Sequence, residues 1–187
     1  MLPLQIHAVF GVNQWVLLNS LKHTLPTKQL ITVYHSLIHP YLTYGIMLWG
    51  GAHKKYINKL KVSQNKTVCN INKSKYNESA KPIYTKLDIL PIDELVKIEL
   101  CKFMYSYTTN NLPLPLLSLY TPNTNIHSHN TRHSQDAHVT SRRTELIARS
   151  FIHTAPDIWL TVPVDIKESR TKTHSSTRSQ NLSRPLD

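Results

Sequence analysis

The stretch KKYINKLKVSQNKTVCNIN, residues 54 to 72, carries its apolar side chains at a helical spacing. Stepping about 100° per residue from Ile57, Leu60, Gln64, Val68 and Ile71 stay within about 60° of it, whereas Lys55, Lys59 and Lys66 come out at about 160° to 200°. One face is made for packing and the other is a row of lysines, with Lys54 and Lys61 flanking it.

Upstream, the pattern is helical from Pro26. Leu30, Val33, Tyr34, Leu37 and Ile38 fall at i, i+3, i+4, i+7 and i+8, one face of a helix. Pro40 then kinks that helix or opens a new one in its first turn. Tyr41, Tyr44, Leu48 and Trp49 continue a wide apolar stripe, and Gly50-Gly51 is a natural stop. A further helix is expected around Asn13 to His23, with Trp15, Leu18 and Leu21 on one side. The run from Tyr34 to Gly51 is the most apolar and aromatic in the chain, yet His35, Ser36 and His39 leave only Tyr41 to Ala52 uninterrupted. A membrane-spanning helix needs about 20 apolar residues, so the spanning reading fails.

Downstream, LDILPIDELVKIELCKFMYSY, residues 87 to 107, reads as a helix with Pro91 in its first turn. Asp93 and Glu94 sit near the favourable end of its dipole, which explains them better than a catalytic pair does. Leu95, Val96, Ile98, Leu100, Phe103, Met104 and Tyr107 occupy most of its circumference, so it should be largely buried. TTNNLPLPLL, residues 108 to 117, breaks it. A long polar loop spans residues 120 to 141, a short helix follows near Thr144 to His153, and then a Trp-bearing segment, APDIWLTVPVDI. From about Lys167 the chain is polar and cationic with almost no apolar anchor, the composition of a disordered tail. The fold class is therefore mainly α: a small helical domain of about four to five helices, with a long polar loop and a disordered tail. The organisation divides into an unmatched segment over 1–12, a helical and strongly basic region over 13–110, a loop-rich region over 111–166 and the tail over 167–187.

The charge is distributed unevenly. The formal net charge is +11, and no Asp or Glu precedes Glu78 while nine lysines do. The first 77 residues thus carry +9 and the remaining 110 carry +2, from 13 basic and 11 acidic side chains. A basic amino-terminal half suits a polyanion such as a nucleic acid, although solvated lysines also keep helices soluble.

Other chemistry is missing. Four glycines leave no phosphate loop, dinucleotide fingerprint or nucleophile elbow. Carboxylates are scarce and none is placed to hold metal ions for phosphoryl transfer. His127, His129, His133 and His138 crowd one loop, but only Asp136 accompanies them at ligand spacing, so the expectation is a solvated loop with no metal and no cofactor. Cys69 and Cys101 have no spacing that pairs them and are read as reduced and buried. The start, MLPLQIHAVFGVNQW, is a poor secretion signal. An intracellular location is expected.

Several blocks together resemble the carboxy-terminal part of reverse transcriptases from non-LTR (LINE-like, jockey-type) retrotransposons. They are LPTKQLITVYHSLIHPYLTYGIMLWGG, INKLKVSQNKTV, LDILPIDELVKIELCKFMYSY, HSHNTR and APDIWLTVPVDIKES, in that order, over about residues 13 to 170. The resemblance implies the helical thumb and post-palm region, which packs beside the polymerase and helps hold template and primer. Tyr41, Tyr44 and Trp49 become core or interdomain anchors. The family's catalytic aspartate pair lies upstream of the matched region and has no counterpart here, so no polymerase activity is expected of this chain alone. Cys69 replaces a residue that is commonly basic in the family, and Leu160 and Val162 depart from its usual Trp-Asn and Leu-Pro block. The implied partners are RNA or an RNA–DNA duplex, held electrostatically through Lys54, Lys55, Lys59, Lys61 and Lys66, and a polymerase palm domain. Two other readings compete: a non-functional retroelement remnant that folds poorly without the palm, and a small zinc-binding or protein-interaction module.

Overall fold

The computed structural model of the protein describes residues 16–74, 78–126, 137–138, 141–163 and 166–167. The fold is mainly helical, and the described residues contain no strand; Pro122 and Ala137 form an isolated antiparallel bridge. The chain divides into two units, Met1–Glu99 with Thr144–Phe151 and Leu100–Arg143 with Ile152–Asp187.

In the first unit, helix α1 covers residues 16 to 21 and buries Leu18 completely, with Leu21 packed at the core margin. Trp15, expected on the same side, lies outside the described residues. Pro26, extended at ψ 156°, leads into α2 (Thr27–Val33). A π-turn (Tyr34–Ile38) and α3 (His39–Thr43) follow without a break in helical backbone. Pro40 lies in the first turn of α3, as the sequence allowed. It has no N–H to give to the preceding turn, and the ladder beside it widens instead: the His39 N–H reaches back five residues to the Tyr34 carbonyl.

That wider turn decides which side chains are buried. Leu30, Tyr34, Ile38 and Leu42 form the core stripe, each four residues after the last. In an α-helix every fourth residue overshoots a full turn by about 40°, so such a stripe would drift off the core. The π-turn takes up part of the drift. Leu37, assigned to the core face from its i+7 spacing, is turned outward at 44% exposed. Helix α3 then ends at Tyr44, whose backbone is extended, and Gly45 adopts φ +62°, a left-handed conformation that L side chains rarely take. Helix α4 (Ile46–Trp49) therefore starts with a new phase. It buries Ile46 and Trp49 and leaves Tyr44 and Leu48 outside at 79% and 75% exposed; Tyr41 is also exposed. Of the three aromatic anchors expected here, only Trp49 is in the core.

Gly50 and Gly51 end α4, as expected. At Gly51 a Cβ would stand 1.8 Å from the Arg149 carbonyl oxygen, so close backbone approach requires glycine there.

Helix α5 (Lys54–Ile71) and α6 (Ala80–Leu87) pack against each other, and α5 also meets α2. α6 contributes Ile83, Tyr84 and Leu87 to the core and stops at Asp88, which is left-handed at φ 53°. Helix α7 (Ile92–Thr108) begins just after Pro91 and carries Asp93 and Glu94 in its first turn. Its Ile92 and Leu95 are buried in the same core, whereas Ile98 is not. Helix α9 (Glu145–Ala148) also belongs to this unit and is capped by Thr144, whose hydroxyl accepts the Ile147 N–H.

In the second unit, the later part of α7 buries Leu100, Phe103 and Met104. The helix ends near Asn110, left-handed at φ 53°, and a short helix α8 (Leu114–Leu117) follows the proline-rich break. Tyr120 is buried with its ring edge-on to Tyr107 at 5.2 Å. Helix α10 (Phe151–Thr161) corrects the expectation of one short helix over 144 to 153 ahead of the Trp-bearing segment. The chain breaks at Arg149 and Ser150, and the Trp segment is itself helical, running through Pro156 and burying Ala155 and Trp159.

Cys69 and Cys101 are free and half-buried rather than fully buried. Most of the polar loop (127–136 and 139–140) and the tail from residue 168 lie outside the described residues, with His127, His129, His133 and Asp136 among them. His138 is described: its ring Nδ1 lies 3.1 Å from Asn123 Oδ1, and its backbone N–H donates to the Thr121 carbonyl. No group of three or more metal-ligating side chains occurs among the described residues, and no described helix is long and apolar enough to cross a membrane.

Candidate nucleic-acid interface

Helix α5 owes its orientation to the face it buries. Ile57, Leu60, Gln64, Val68 and Ile71 are all under 9% exposed, the five positions selected by the 100° projection. Burying them turns the opposite side outward, and Lys55, Lys59 and Lys66 are exposed there. Lys54 is exposed as well, at the amino-terminal end.

The local capping accentuates the positive charge. His53 accepts the Lys55 N–H through Nδ1 at 3.2 Å, and the first turn of α5 contains no acidic residue. Lys54 and Lys55 thus add full charges to the positive end of the helix dipole, an arrangement that costs stability and raises the local potential. No ion pair among the described residues involves Lys54, Lys55 or Lys59.

Lys61 is different. It projects about 40° from Ile57, towards the packed face, and its Nζ lies 2.8 Å from Asp93 Oδ2. The sequence shows no acidic residue near the row, but the fold brings the first turn of α7 to it. Asp93 therefore acts as a partner for Lys61 as well as a helix-end charge, while Glu94 pairs with Lys97 three residues on at 3.1 Å.

The fold also joins a residue to this surface that the sequence reading left out. Beside the second half of α5 is a cavity of about 410 Å³, with Asn19, Lys22, Asn65, Lys66, Asn70 and Glu78 in its wall. Lys22, just past α1, thereby shares a wall with Lys66, and helix periodicity within α5 carries no trace of that neighbour. Cys69 lines the same cavity; burial, and secondarily the Glu78 carboxylate, push its thiol up, so it stays protonated at neutral pH. A surface of this kind can hold phosphates by charge and by amide hydrogen bonds, and it offers no nucleophile or carboxylate pair for covalent chemistry.

No family model, curated protein or solved structure matches the chain.

Proposed function

We propose that the chain is a non-catalytic part of a non-LTR retrotransposon RNA-directed DNA polymerase, from the helical region after the palm. Its activity is sequence-independent binding of RNA or an RNA–DNA duplex. The family assignment rests on the ordered sequence blocks given above. The binding activity rests on one observation: the packed face of α5 forces Lys55, Lys59 and Lys66 outward together. Lysines in a row contact phosphates and release condensed counterions, which gives affinity without reading bases. A polymerase palm domain is the protein partner that the reading implies.

Replacing Lys55, Lys59 and Lys66 with Gln tests the activity. The slope of log affinity against log salt should fall by about 0.7 for each lost contact on single-stranded RNA, equally for unrelated sequences. An unchanged slope would reduce the row to a solvated face. A broad, non-cooperative melt of the wild type would favour the remnant reading instead.

A further inference from the structure

His35 and His39 take no part in the lysine face, and the geometry points to them as a two-nitrogen chelate for a borderline-soft divalent cation such as Zn²⁺ or Cu²⁺. They lie at the junction of the π-turn and α3, with ring centroids 5.5 Å apart and ring planes inclined at 49°. Zinc sits about 2.0–2.1 Å from a ligating imidazole nitrogen, hence about 3.2 Å from the ring centre, so a tetrahedral angle places two such centres about 5.2 Å apart. The observed separation is within a few tenths of an ångström of that value. Four-residue spacing on a helix is also how two histidines reach one zinc ion in helical zinc motifs.

The backbone under the pair is held in place. Tyr34, adjacent to His35, is fully buried, and its hydroxyl accepts a hydrogen bond from Gln64 at 3.0 Å. Its ring meets those of His35 and His39 edge-on, at 5.3 and 6.4 Å. His35 is exposed and His39 half-buried, so one side of the pair is open to solvent. The ligand set also defines which ions fit. No third histidine, cysteine or carboxylate among the described residues joins the pair, so the donors are two imidazoles with the other positions left for water or an external ligand. Zn²⁺ and Cu²⁺ accept imidazole, whereas Mg²⁺ and Ca²⁺ require oxygen.

Calorimetric titration of the full chain with ZnCl₂ tests the site, comparing wild type with His35→Ala, His39→Ala and the double variant. Uptake by the other histidines is common to all four proteins. The wild type should bind one more equivalent than either single variant, and the single variants should match the double. Equal uptake by all four overturns the chelate. A second measurement needs no variant: diethyl pyrocarbonate modification of His35 and His39 in the wild type, read by peptide mass. Zinc at about ten times its dissociation constant should slow both about tenfold, by occupancy of the site, and MgCl₂ should not. Unprotected histidines, or equal protection by magnesium, overturn it.

Discussion

Gln64 Oε1 accepts the buried backbone N–H of Ile92 at 2.9 Å, so a side chain of α5 caps the first residue of α7. The same amide donates from Nε2 to the Leu90 carbonyl at 2.9 Å and to the Tyr34 hydroxyl. One side chain thereby ties the π-turn, α5 and the start of α7 together, and satisfies an N–H that a helix cannot pair internally. Gln64→Leu keeps the volume and strands two buried polar groups, the Ile92 N–H and the Tyr34 hydroxyl, and the half-buried Leu90 carbonyl. It should destabilise the protein by about 3 kcal/mol or more, given about 1–3 kcal/mol for each unsatisfied group. Urea melts measure this; a loss under about 1 kcal/mol would show that the network is dispensable.

Trp49 and Tyr44 make a contrasting pair. The indole N–H of Trp49 donates to the Tyr44 carbonyl at 2.8 Å while its ring is buried. Trp49→Ala should cost about 3–5 kcal/mol. Tyr44→Ala keeps the backbone carbonyl and removes an exposed ring, so stability should stay within about 0.5 kcal/mol of wild type. Comparable losses in the two variants would contradict the exposure of Tyr44.

The sequence exposed the α5 face because nothing interrupts that helix. With uniform winding, the projection from Ile57 reached five of the six buried positions of α5, Gln64 included, although the amide's partners belong to distant segments; the sixth, Thr67, lies about 80° from Ile57. The same arithmetic failed between Leu37 and Leu48. There the π-turn and the left-handed Gly45 each reset the phase, and neither leaves a periodic signal. The lysine row was legible for the same reason as the buried face. The Lys61–Asp93 pair and the approach of Lys22 to Lys66 were not, because they depend on tertiary contacts.

Stability should fall in alkali. Burial pushes the Tyr34 phenol above its ordinary range, partly offset by the Gln64 hydrogen bond. Tyr84 is also raised, by burial first and then by Tyr34, Cys69 and Asp93. A tyrosine in the unfolded chain ionises near about pH 10. Raised folded-state values mean that the unfolded state loses its protons first, so the stabilisation is complete below about pH 10 and is lost above it. Urea midpoints from pH 8 to 11 should drop, and the Tyr34→Phe/Tyr84→Phe variant should drop less steeply. Parallel slopes for the two proteins would refute the assignment.

The isolated chain should extend no primer. Nucleotidyl transfer needs carboxylates that hold two metal ions around the attacking and leaving oxygens, and the sequence has no such pair at the required spacing. Incubation of pure protein with an annealed RNA template, primer, nucleotides and Mg²⁺ is the assay. Template-dependent products would overturn the non-catalytic reading while leaving the lysine face intact.

Lys59, in the row, and Lys61, which flanks it, should separate in function although both are expected from the sequence to hold RNA. Lys61 is engaged by Asp93, and its side chain is only 37% exposed. An exposed pair of this kind is worth about 0–1 kcal/mol, so Lys61→Gln should have a small effect on stability. It should also leave the RNA salt slope close to wild type, because the lysine releases few counterions while its charge is already matched. Lys59→Gln should lower the slope by about 0.7 and leave stability unchanged. Asp93→Asn makes the test reciprocal: it frees Lys61, and should strengthen RNA binding at low salt and steepen the slope by up to about 0.7. Binding isotherms over a salt series distinguish these cases. Equal slope losses for Lys59→Gln and Lys61→Gln, with no gain from Asp93→Asn, would mean that the Asp93 contact does not control which lysines meet phosphate.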